Sequence, residues 1–199
     1  MSEHPTLRAL TGLPAQPESL ASSALVLIDC QNTYTRGVME LEGVQAALDQ
    51  AEHLLDRART AGIPIIHIQH DAGPGSPYDI RDEIGAIVDR VAPRGDEPVV
   101  VKNYPNSFVG TDLDEQLKGL KAQNLVLAGF MTHMCVNSTA RGAFNLGYAP
   151  TVVAAATATR ALPDPIGGDV PAASVHAASL AAIADLFAIV VPDAAAIPD

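Results

Sequence analysis

Short, continuous runs of apolar residues recur along the chain, and helical segments or polar loops separate them. The runs lie at 24–28, 63–68, 99–101, 125–128, 150–155 and 189–191. An apolar run without alternation is typical of a strand that is buried on both faces. Strands of this kind that alternate with helices predict right-handed βαβ units. We therefore expect an α/β fold with a mainly parallel six-stranded sheet covered on both faces.

Amphipathic segments between the runs predict the helices. Over 43–61, apolar residues recur at helical spacing: Val44, Ala47, Leu48, Ala51, Leu54, Leu55 and Ala58. Gly62 follows as a stop signal. Further helices are predicted after Thr111 or Asp112, after Cys135 and within 170–187, whereas 80–91 predicts at best a short irregular helix.

Composition and charge exclude several classes of partner. The chain of 199 residues has 12 Lys and Arg against 23 Asp and Glu, a formal net charge of −11. Such a balance provides no basic surface for nucleic acid or for an anionic membrane. No apolar run approaches the roughly 20 residues that cross a bilayer. We expect a Pro-rich, poorly periodic arm over 1–23 and a single domain over 24–199.

The cellular compartment is predicted from two features of the chain. The first twenty residues contain no continuous apolar segment of the kind found in signal peptides. Two cysteines do not make a disulfide framework. A reducing cytoplasm is therefore expected.

Reactive side chains follow three of the predicted strands. Asp29 ends the first, Lys102 ends the third, and Cys135 lies where the fourth strand passes into a helix. Ligands of open parallel sheets bind outside the carboxyl ends of the strands. A thiol at a strand-to-helix junction is expected to be biased toward the nucleophilic thiolate. Taken singly, each residue has an ordinary alternative: a core cysteine, a turn-capping aspartate and a solvated lysine.

Together the three side chains form a complete set for acyl transfer. Cys135 would attack a carbonyl, Asp29 would take the thiol proton and return it to the leaving nitrogen, and Lys102 would stabilise the charges. Cys30 is expected to point away from the site as an inert buried thiol.

Three blocks resemble the isochorismatase-like cysteine hydrolase superfamily: L-V-L-I-D-C-Q-N-T-Y, V-V-V-K-N-Y-P-N-S-F-V-G-T-D-L and L-V-L-A-G-F-M-T-H-M-C-V-N-S-T-A-R-G-A. The resemblance implies a Rossmann-like three-layer α/β/α fold, an Asp29, Lys102 and Cys135 triad, and frequent homo-oligomerisation. It also implies a cis peptide between Phe130 and Met131, with the backbone N–H groups of Met131 and Cys135 forming an oxyanion hole.

The resemblance further implies hydrolysis of an amide-type C–N bond in a small molecule through a cysteine thioester, without a cofactor. Two alternatives stay open: hydrolysis of a vinyl ether led by the aspartate, as in isochorismatases proper, and a catalytically silent member that only binds a small molecule. The D-x-H-x-x-H metal run of nicotinamidases is replaced here by H-I-Q-H-D-A-G-P-G. A metal site at His67, His70 and Asp71 is therefore disfavoured, and no metal is expected.

Side chains in the loops at the strand ends are the candidates for the substrate pocket. The expected substrate-binding residues are Tyr34, Gln69, His70, Phe108 and His133, with Tyr104 and Thr132 in the same loops. His133 is equally consistent with a packing histidine that points away from the thiol.

Overall fold

A computed structural model describes residues 4–199. Its strands are β1 (Ser23–Ile28), β2 (Ile65–His70), β3 (Val99–Lys102), β4 (Asn124–Phe130), β5 (Ala149–Ala158), β6 (Leu162–Pro163), β7 (Asp169–Val170) and β8 (Ile189–Val191). Its α-helices are α1 (Leu7–Leu10), α2 (Val44–Ala61), α3 (Leu113–Gly119), α4 (Asn137–Asn145) and α5 (Ala172–Ala184).

Six strands form one parallel sheet in the order β3-β2-β1-β4-β5-β8. The chain leaves β1 toward β2 and β3 and then returns to place β4 on the other side of β1. The carboxyl ends of β1 and β4 therefore flank the point where the strand order reverses, which is where open α/β sheets bind ligands. The predicted α/β fold with a parallel six-stranded sheet is confirmed.

Two apolar layers enclose the sheet. Leu25 and Leu27 of β1 pack with helix α2, whereas Val26 and Ile28 pack on the other face with α3, α4 and α5. All six residues of β1 are buried, as its unbroken apolar run predicts. This makes β1 a rigid central support for the residue that follows it, Asp29.

Several elements differ from the sequence prediction. The expected helix over 80–91 is two short 3₁₀ turns, Glu83–Gly85 and Asp89–Val91, because the segment lacks a continuous apolar face. Strand β5 extends to Ala158, past the predicted end, with an irregular register opposite β4. The antiparallel pair β6 and β7 was not predicted, since each of its strands has only two residues.

The N-terminal segment 4–22 packs against the same domain. Arg8 and Leu20 are buried, and the Leu20 amide donates to the carbonyl of Pro198. The first three residues of the expected arm lie outside the described residues. Within 4–199, no helix combines the length and the apolarity that a membrane crossing requires.

Candidate active site

Asp29, Lys102 and Cys135 meet at the carboxyl end of the sheet. Lys102 Nζ lies 2.7 Å from Asp29 Oδ2 and 3.4 Å from Cys135 Sγ. The three residues are 0%, 1% and 5% exposed, respectively. A carboxylate, an ammonium and a thiol thus share one compartment that is almost closed to bulk water.

The geometry of the backbone delivers Asp29 to this compartment. Asp29 is the first residue after β1, and its φ of 50° places it in the left-handed region. Its amide donates to the carbonyl of Ile68, and the Gln31 amide donates back to the Asp29 carbonyl at 2.8 Å. The chain therefore turns sharply at Asp29, and a non-glycine residue held at positive φ is uncommon outside such constrained positions.

Lys102 reaches the centre of the site from the edge strand β3. Its ammonium extends past β2 and also lies 3.0 Å from Nδ1 of His70, the last residue of that strand. The ammonium contacts three groups: it forms an ion pair with Asp29 and hydrogen bonds with His70 and Cys135. These contacts hold the buried cation between the carboxylate and the thiol.

Burial determines the resting charge of the triad. It raises the pKa of Asp29, and the neighbouring Lys102 opposes that shift. Burial, followed by the charge of Asp29, raises the pKa of Cys135 to about 12, again against Lys102. The prediction of a thiol biased toward thiolate is therefore wrong for the resting site, because desolvation and an adjacent carboxylate outweigh the cation. With this raised pKa, Cys135 rests as a neutral thiol.

His70 is a neutral member of the cluster. Burial, and then the charge of Lys102, lower its pKa to about 4. Since Lys102 is only a donor, His70 accepts at Nδ1, and we assign its proton to Nε2. Its ring meets Tyr78 edge to face, with ring centroids 5.1 Å apart.

A distinctive turn presents the nucleophile. The Phe130–Met131 peptide is cis, as the resemblance implied, and a π-helical turn over Thr132–Val136 leads into α4. Among the hydrogen bonds of residues 4–199, none has the Met131 amide as its donor. A free backbone N–H therefore stands at the start of the turn that carries Cys135.

Gly129 allows β4 to approach β1 at this end of the sheet. Its φ is 116°, and a Cβ there would lie 2.0 Å from the carbonyl oxygen of Ile28. No other residue fits at that distance. The glycine thus brings the turn after β4 beside Asp29.

Two neutral histidines connect the turn to its surroundings, His133 within the turn and His176 of α5. His176 of α5 bonds through Nδ1 to the Thr132 hydroxyl at 3.0 Å, and His133 bonds through Nδ1 to the Thr159 hydroxyl. Burial lowers the pKa of both histidines, and the charge of Arg160 lowers that of His133 further. The turn is therefore connected both to α5 and to the residue that follows β5.

The structure brings only some of the expected pocket residues to the thiol. His70 touches Lys102, and the buried Tyr34 packs edge to face against Phe130, with centroids 5.7 Å apart. His133 flanks Cys135 in sequence, but its Nδ1 faces Thr159.

Two expected pocket residues face elsewhere. Gln69 points to the α2 side of the sheet and donates to the Gly85 carbonyl at 2.8 Å, because side chains alternate along β2. Phe108 stacks on Tyr148, which precedes β5 at the opposite, amino edge of the sheet. Tyr104 is 58% exposed.

Sequence reasoning missed residues that support the site. Buried Gln31 accepts from the His70 amide and donates to the His70 carbonyl, both at 2.9 Å, and also donates to Gly85 O. It thereby fixes the residue that contacts Lys102. Tyr78, from the loop after β2, meets Tyr34 edge to face with ring centroids 5.8 Å apart and lies near His70. A polar residue two positions after Asp29 was the only available signal for Gln31.

The histidines and aspartate considered as metal ligands have other partners. His67 Nε2 donates to Glu97 at 2.9 Å, and Asp71 pairs with Arg81 at 2.8 Å. Across residues 4–199, no group of three His, Cys, Asp or Glu side chains is arranged to hold a metal ion.

Cavity size alone does not locate the site. A cavity of about 620 Å³ lies at the amino edge of the sheet, lined by residues that include Arg59, Glu97 and Leu120. None of the triad residues lines it. We place the candidate site by its chemistry, at the opposite edge.

The chain is similar to known proteins of one family. A family model described as Isochorismatase domain matches residues 23–195. The chain is 33% identical to the secreted isochorismatase effector Isc1 of Verticillium dahliae, over 92% of this chain and 94% of that protein. It is 32% identical to the ureidoacrylate amidohydrolase RutB of Stutzerimonas stutzeri, over 73% and 75% of the two chains. The crystal structure of an isochorismatase from Pseudomonas putida superimposes with a TM-score of 0.93 at 37% identity, over 98% and 99% of the chains.

Proposed function

The chain belongs to the isochorismatase family of hydrolases, and from this premise we propose that it cleaves an amide-type C–N bond of a small molecule through a cysteine thioester. Cys135 is the nucleophile, Asp29 the general acid and base, and Lys102 the electrostatic support. The observation that carries the proposal is the position of Lys102 Nζ, 2.7 Å from the carboxylate and 3.4 Å from the sulfur.

The first half-reaction starts from a neutral thiol. Its proton passes to Asp29 as Sγ bonds to the substrate carbonyl carbon, and the carbonyl oxygen takes the negative charge. The carbonyl then re-forms, the C–N bond breaks, and Asp29 returns the proton to the leaving nitrogen. The raised pKa of Asp29 suits this exchange, because a carboxyl group with a raised pKa is a better base and also protonates readily.

The second half-reaction uses water. Asp29 accepts a proton from a water molecule as the water oxygen attacks the thioester carbonyl carbon. The C–S bond then breaks, and the proton returns from Asp29 to sulfur. Lys102 stays charged throughout and stabilises whichever of its two neighbours is negative. The cycle ends with the original protonation states.

Backbone N–H groups at Met131 and Cys135 form the oxyanion hole in this proposal. The absence of an acceptor for the Met131 amide among residues 4–199 supports its part in this role. Donors already directed at the developing charge need no reorganisation during the reaction.

The burial of the thiol supports a small substrate. Cys135 is only 5% exposed, so a compact carbonyl group is favoured over a bulky one. His70 offers Nε2–H at the edge of the triad, and we assign it the binding of a substrate acceptor. Tyr34 and Tyr78 form the aromatic wall beside it.

Hydrolysis of a vinyl ether is the second candidate function. The raised pKa of Asp29 favours it, since a protonated aspartic acid is the group that such a reaction requires. The thiol would then be dispensable. The thioester route therefore requires Cys135, whereas the vinyl-ether route does not.

The deciding experiment compares two cysteine variants. Cys135→Ala should abolish the release of ammonia from primary amides and carbamoyl compounds, whereas Cys30→Ala should keep most of it, because the Cys30 thiol is buried beside the backbone of Ile28. The panel also includes lactams and isochorismate, with pyruvate release as the readout for the last. Turnover by Cys135→Ala at close to the parental rate would exclude the thioester route and favour the vinyl-ether route.

The proposal extends to compartment and assembly. We propose a cytoplasmic homo-oligomer that acts on a small molecule. The two cysteines, Cys30 and Cys135, are both free and buried, as a reducing compartment allows. Size-exclusion chromatography with light scattering measures the assembly directly.

A further inference from the structure

Strand β2 extends beyond the end of the strand beside it. β1 ends at Ile28, which pairs with Ile68, whereas β2 continues for two more residues to His70. The Asp29 amide donates to the Ile68 carbonyl, so Ile68 directs its backbone groups toward β1. In a parallel pair every second residue does the same, and His70 is the next such residue. Its amide and carbonyl therefore face a place that β1 no longer fills, and they require other partners.

The side-chain amide of Gln31 supplies both partners. Its Oε1 accepts from the His70 amide at 2.9 Å, and its Nε2 donates to the His70 carbonyl at 2.9 Å. A primary amide offers the same acceptor and donor as a peptide group, so Gln31 takes the place of the missing strand residue. Gln31 is fully buried and also donates to the Gly85 carbonyl at 2.8 Å. The backbone of His70 is therefore held where the neighbouring strand has ended.

The imidazole of His70 is directed at Lys102 by the register of the sheet. The two residues are paired between β2 and β3, and the Nδ1 to Nζ distance is 3.0 Å. On its other side the ring meets Tyr78 edge to face, with centroids 5.1 Å apart. Because the backbone and the ring are both fixed, Nδ1 presents an acceptor at one defined position.

This acceptor gives the ammonium of Lys102 a third contact. Its contacts with Asp29 at 2.7 Å and Cys135 at 3.4 Å leave it free to swing about the line that joins those two groups. A contact from the end of a third strand removes that freedom, which is considerable in a flexible four-carbon side chain. Position matters here, since a misplacement of about 1 Å can reduce a rate about 100-fold.

We propose that Gln31 is a positioning residue for the reaction. By pairing with both backbone polar groups of His70 it holds the imidazole at Lys102, and the imidazole holds the ammonium between Asp29 and Cys135. This inference rests on the proposed function, to which it adds a residue that acts through His70 and not on the reacting atoms.

Alkylation of Cys135 by iodoacetamide tests this series of contacts without a substrate. Burial, and then the charge of Asp29, raise the pKa of Cys135, and Lys102 opposes them. A displaced ammonium should therefore make the thiolate rarer and labelling slower. Gln31→Met removes the amide and keeps a side chain of similar length. We expect its Cys135 to be labelled about 3- to 10-fold more slowly than in the parental protein at each pH between 7 and 10.

Turnover gives a second readout for the same variant. With the most rapidly hydrolysed compound of the amide panel, kcat of Gln31→Met should fall about 10-fold or more, because the cation no longer stands where the charge develops. Mass spectrometry of the labelled peptide and release of ammonia measure the two effects separately.

Gln69→Met is the matched control. Gln69 donates to the same Gly85 carbonyl at the same 2.8 Å, but its side chain lies on the α2 side of the sheet. Both methionine variants thus lose one bond to the loop that carries Tyr78. Gln69→Met should change the labelling rate and kcat by less than about 2-fold, as expected for one hydrogen bond away from the site. The difference between the variants isolates the pairing with His70.

Two substitutions of His70 test the acceptor itself. The side-chain oxygen of His70→Asn lies about as far along the side chain as Nδ1 and can accept from Lys102, whereas His70→Leu has no acceptor. His70→Asn should keep the labelling rate of Cys135 within about 3-fold of the parental rate, and His70→Leu should slow it at least as much as Gln31→Met. This pair decides the matter even where Gln31→Met does not fold.

The possible outcomes separate this inference from the proposed function. Slower labelling in Gln31→Met and His70→Leu, with no turnover of any compound by the parental protein, would support the positioning role and count against the hydrolase. Labelling that is unchanged or faster in these two variants would overturn the positioning role. So would equal effects of Gln31→Met and Gln69→Met, or of His70→Asn and His70→Leu.

Discussion

The protonation state of the Cys135 thiol depends on two neighbours of opposite charge, Asp29 and Lys102. Burial is the first reason that the pKa of Cys135 rises to about 12, and the Asp29 carboxylate adds to it while Lys102 opposes it. The carboxylate that removes the thiol proton in the proposed reaction therefore also keeps the resting thiol protonated. In that proposal the thiol stays unreactive until a carbonyl arrives.

Replacement of that base should make the resting thiol more reactive. In Asp29→Asn the negative charge is gone and Lys102 stays, so the pKa of Cys135 should fall by about one unit or more. We expect alkylation of Cys135 by iodoacetamide at pH 7 to become at least ~10-fold faster while turnover is lost. Mass spectrometry of the labelled peptide between pH 6 and 10 measures both the rate and the pKa.

Two controls accompany this measurement. Lys102→Gln should change the labelling rate in the opposite direction, because the remaining carboxylate raises the pKa of the thiol without opposition. Cys30, which is 2% exposed, reports unfolding if it becomes labelled. Slower labelling of Cys135 in a folded Asp29→Asn protein would mean that the carboxylate activates the resting thiol.

The sequence was sufficient to place Asp29, Lys102 and Cys135 at strand ends of the same edge, but not to give their charge state. Their positions follow from strand ends, and apolar runs locate strand ends well. The pKa of Cys135 depends instead on how completely β1, β4 and the following turn exclude water, and this is a property of tertiary packing. For the same reason, the sequence could not show that the side chain of His70 lies at the site whereas those of Gln69 and Phe108 face elsewhere.

At the scale of elements, Glu97 joins three parts of the fold. It precedes β3 and pairs with Arg59 of α2 at 2.8 Å and with His67 of β2 at 2.9 Å. Its carboxylate also accepts from the Arg94 amide at 2.9 Å. This cluster fixes the start of the edge strand whose far end carries Lys102.

The stability contributed by Glu97 should depend on pH. The hydrogen bond from Arg59 is the main cause that lowers the pKa of Glu97 from 4.5 to about 2. A lowered pKa means that the contribution is complete above pH 4.5 and is lost as the pH falls toward 2. Glu97→Gln should lower the free energy of unfolding by about 1 to 3 kcal/mol at pH 7 and by less at pH 3.

Urea denaturation at the two pH values measures this difference. Glu52→Gln is the control, since Glu52 is 40% exposed and lies 3.8 Å from Arg90, and it should change stability by less than about 0.5 kcal/mol. An equal loss at pH 7 and pH 3 for Glu97→Gln would show that packing, and not charge, is responsible.

Most elements could be predicted from local patterns, and those that could not depend on distant contacts. The strands of the main sheet and helix α2 have strong periodicity or length, so their positions were predicted closely, although β5 continues to Ala158. The loop that brings Tyr78 to the site is held by hydrogen bonds to the Gly85 carbonyl from Gln31, in the loop after β1, and from Gln69 of β2. No local pattern encodes such contacts.

At the scale of the whole molecule, the site depends on the order of the strands. Asp29 follows β1, Cys135 follows β4, and β1 and β4 are neighbours only because the chain reverses direction across the sheet. The sequence does not reveal that order. The triad therefore forms only when the complete sheet has formed, and elements far from the site support it through stability alone.

The N-terminal segment 4–22 allows a test of whether elements far from the site affect stability without affecting catalysis. Arg8 is 9% exposed and donates from Nε to the Pro14 carbonyl at 2.7 Å and from Nη1 to the Leu186 carbonyl at 3.0 Å. Its amide also donates to the carbonyl of Asp185, just after α5. These bonds join the segment to the end of α5 and to the approach to β8, at the edge of the sheet opposite the triad.

Arg8→Ala should therefore destabilise the protein without altering its chemistry. Loss of two partly buried, charge-assisted hydrogen bonds should lower the free energy of unfolding by about 2 to 4 kcal/mol. Below the unfolding transition, kcat and KM should stay within about 2-fold of the parental values. Leu10→Ala, at a side chain that is 68% exposed in the same segment, should change neither property. Arg8 is remote from the triad, so we expect it to affect the site only through the stability of the fold. A change in kcat with unchanged stability in Arg8→Ala would contradict this and show that the segment acts on the triad directly.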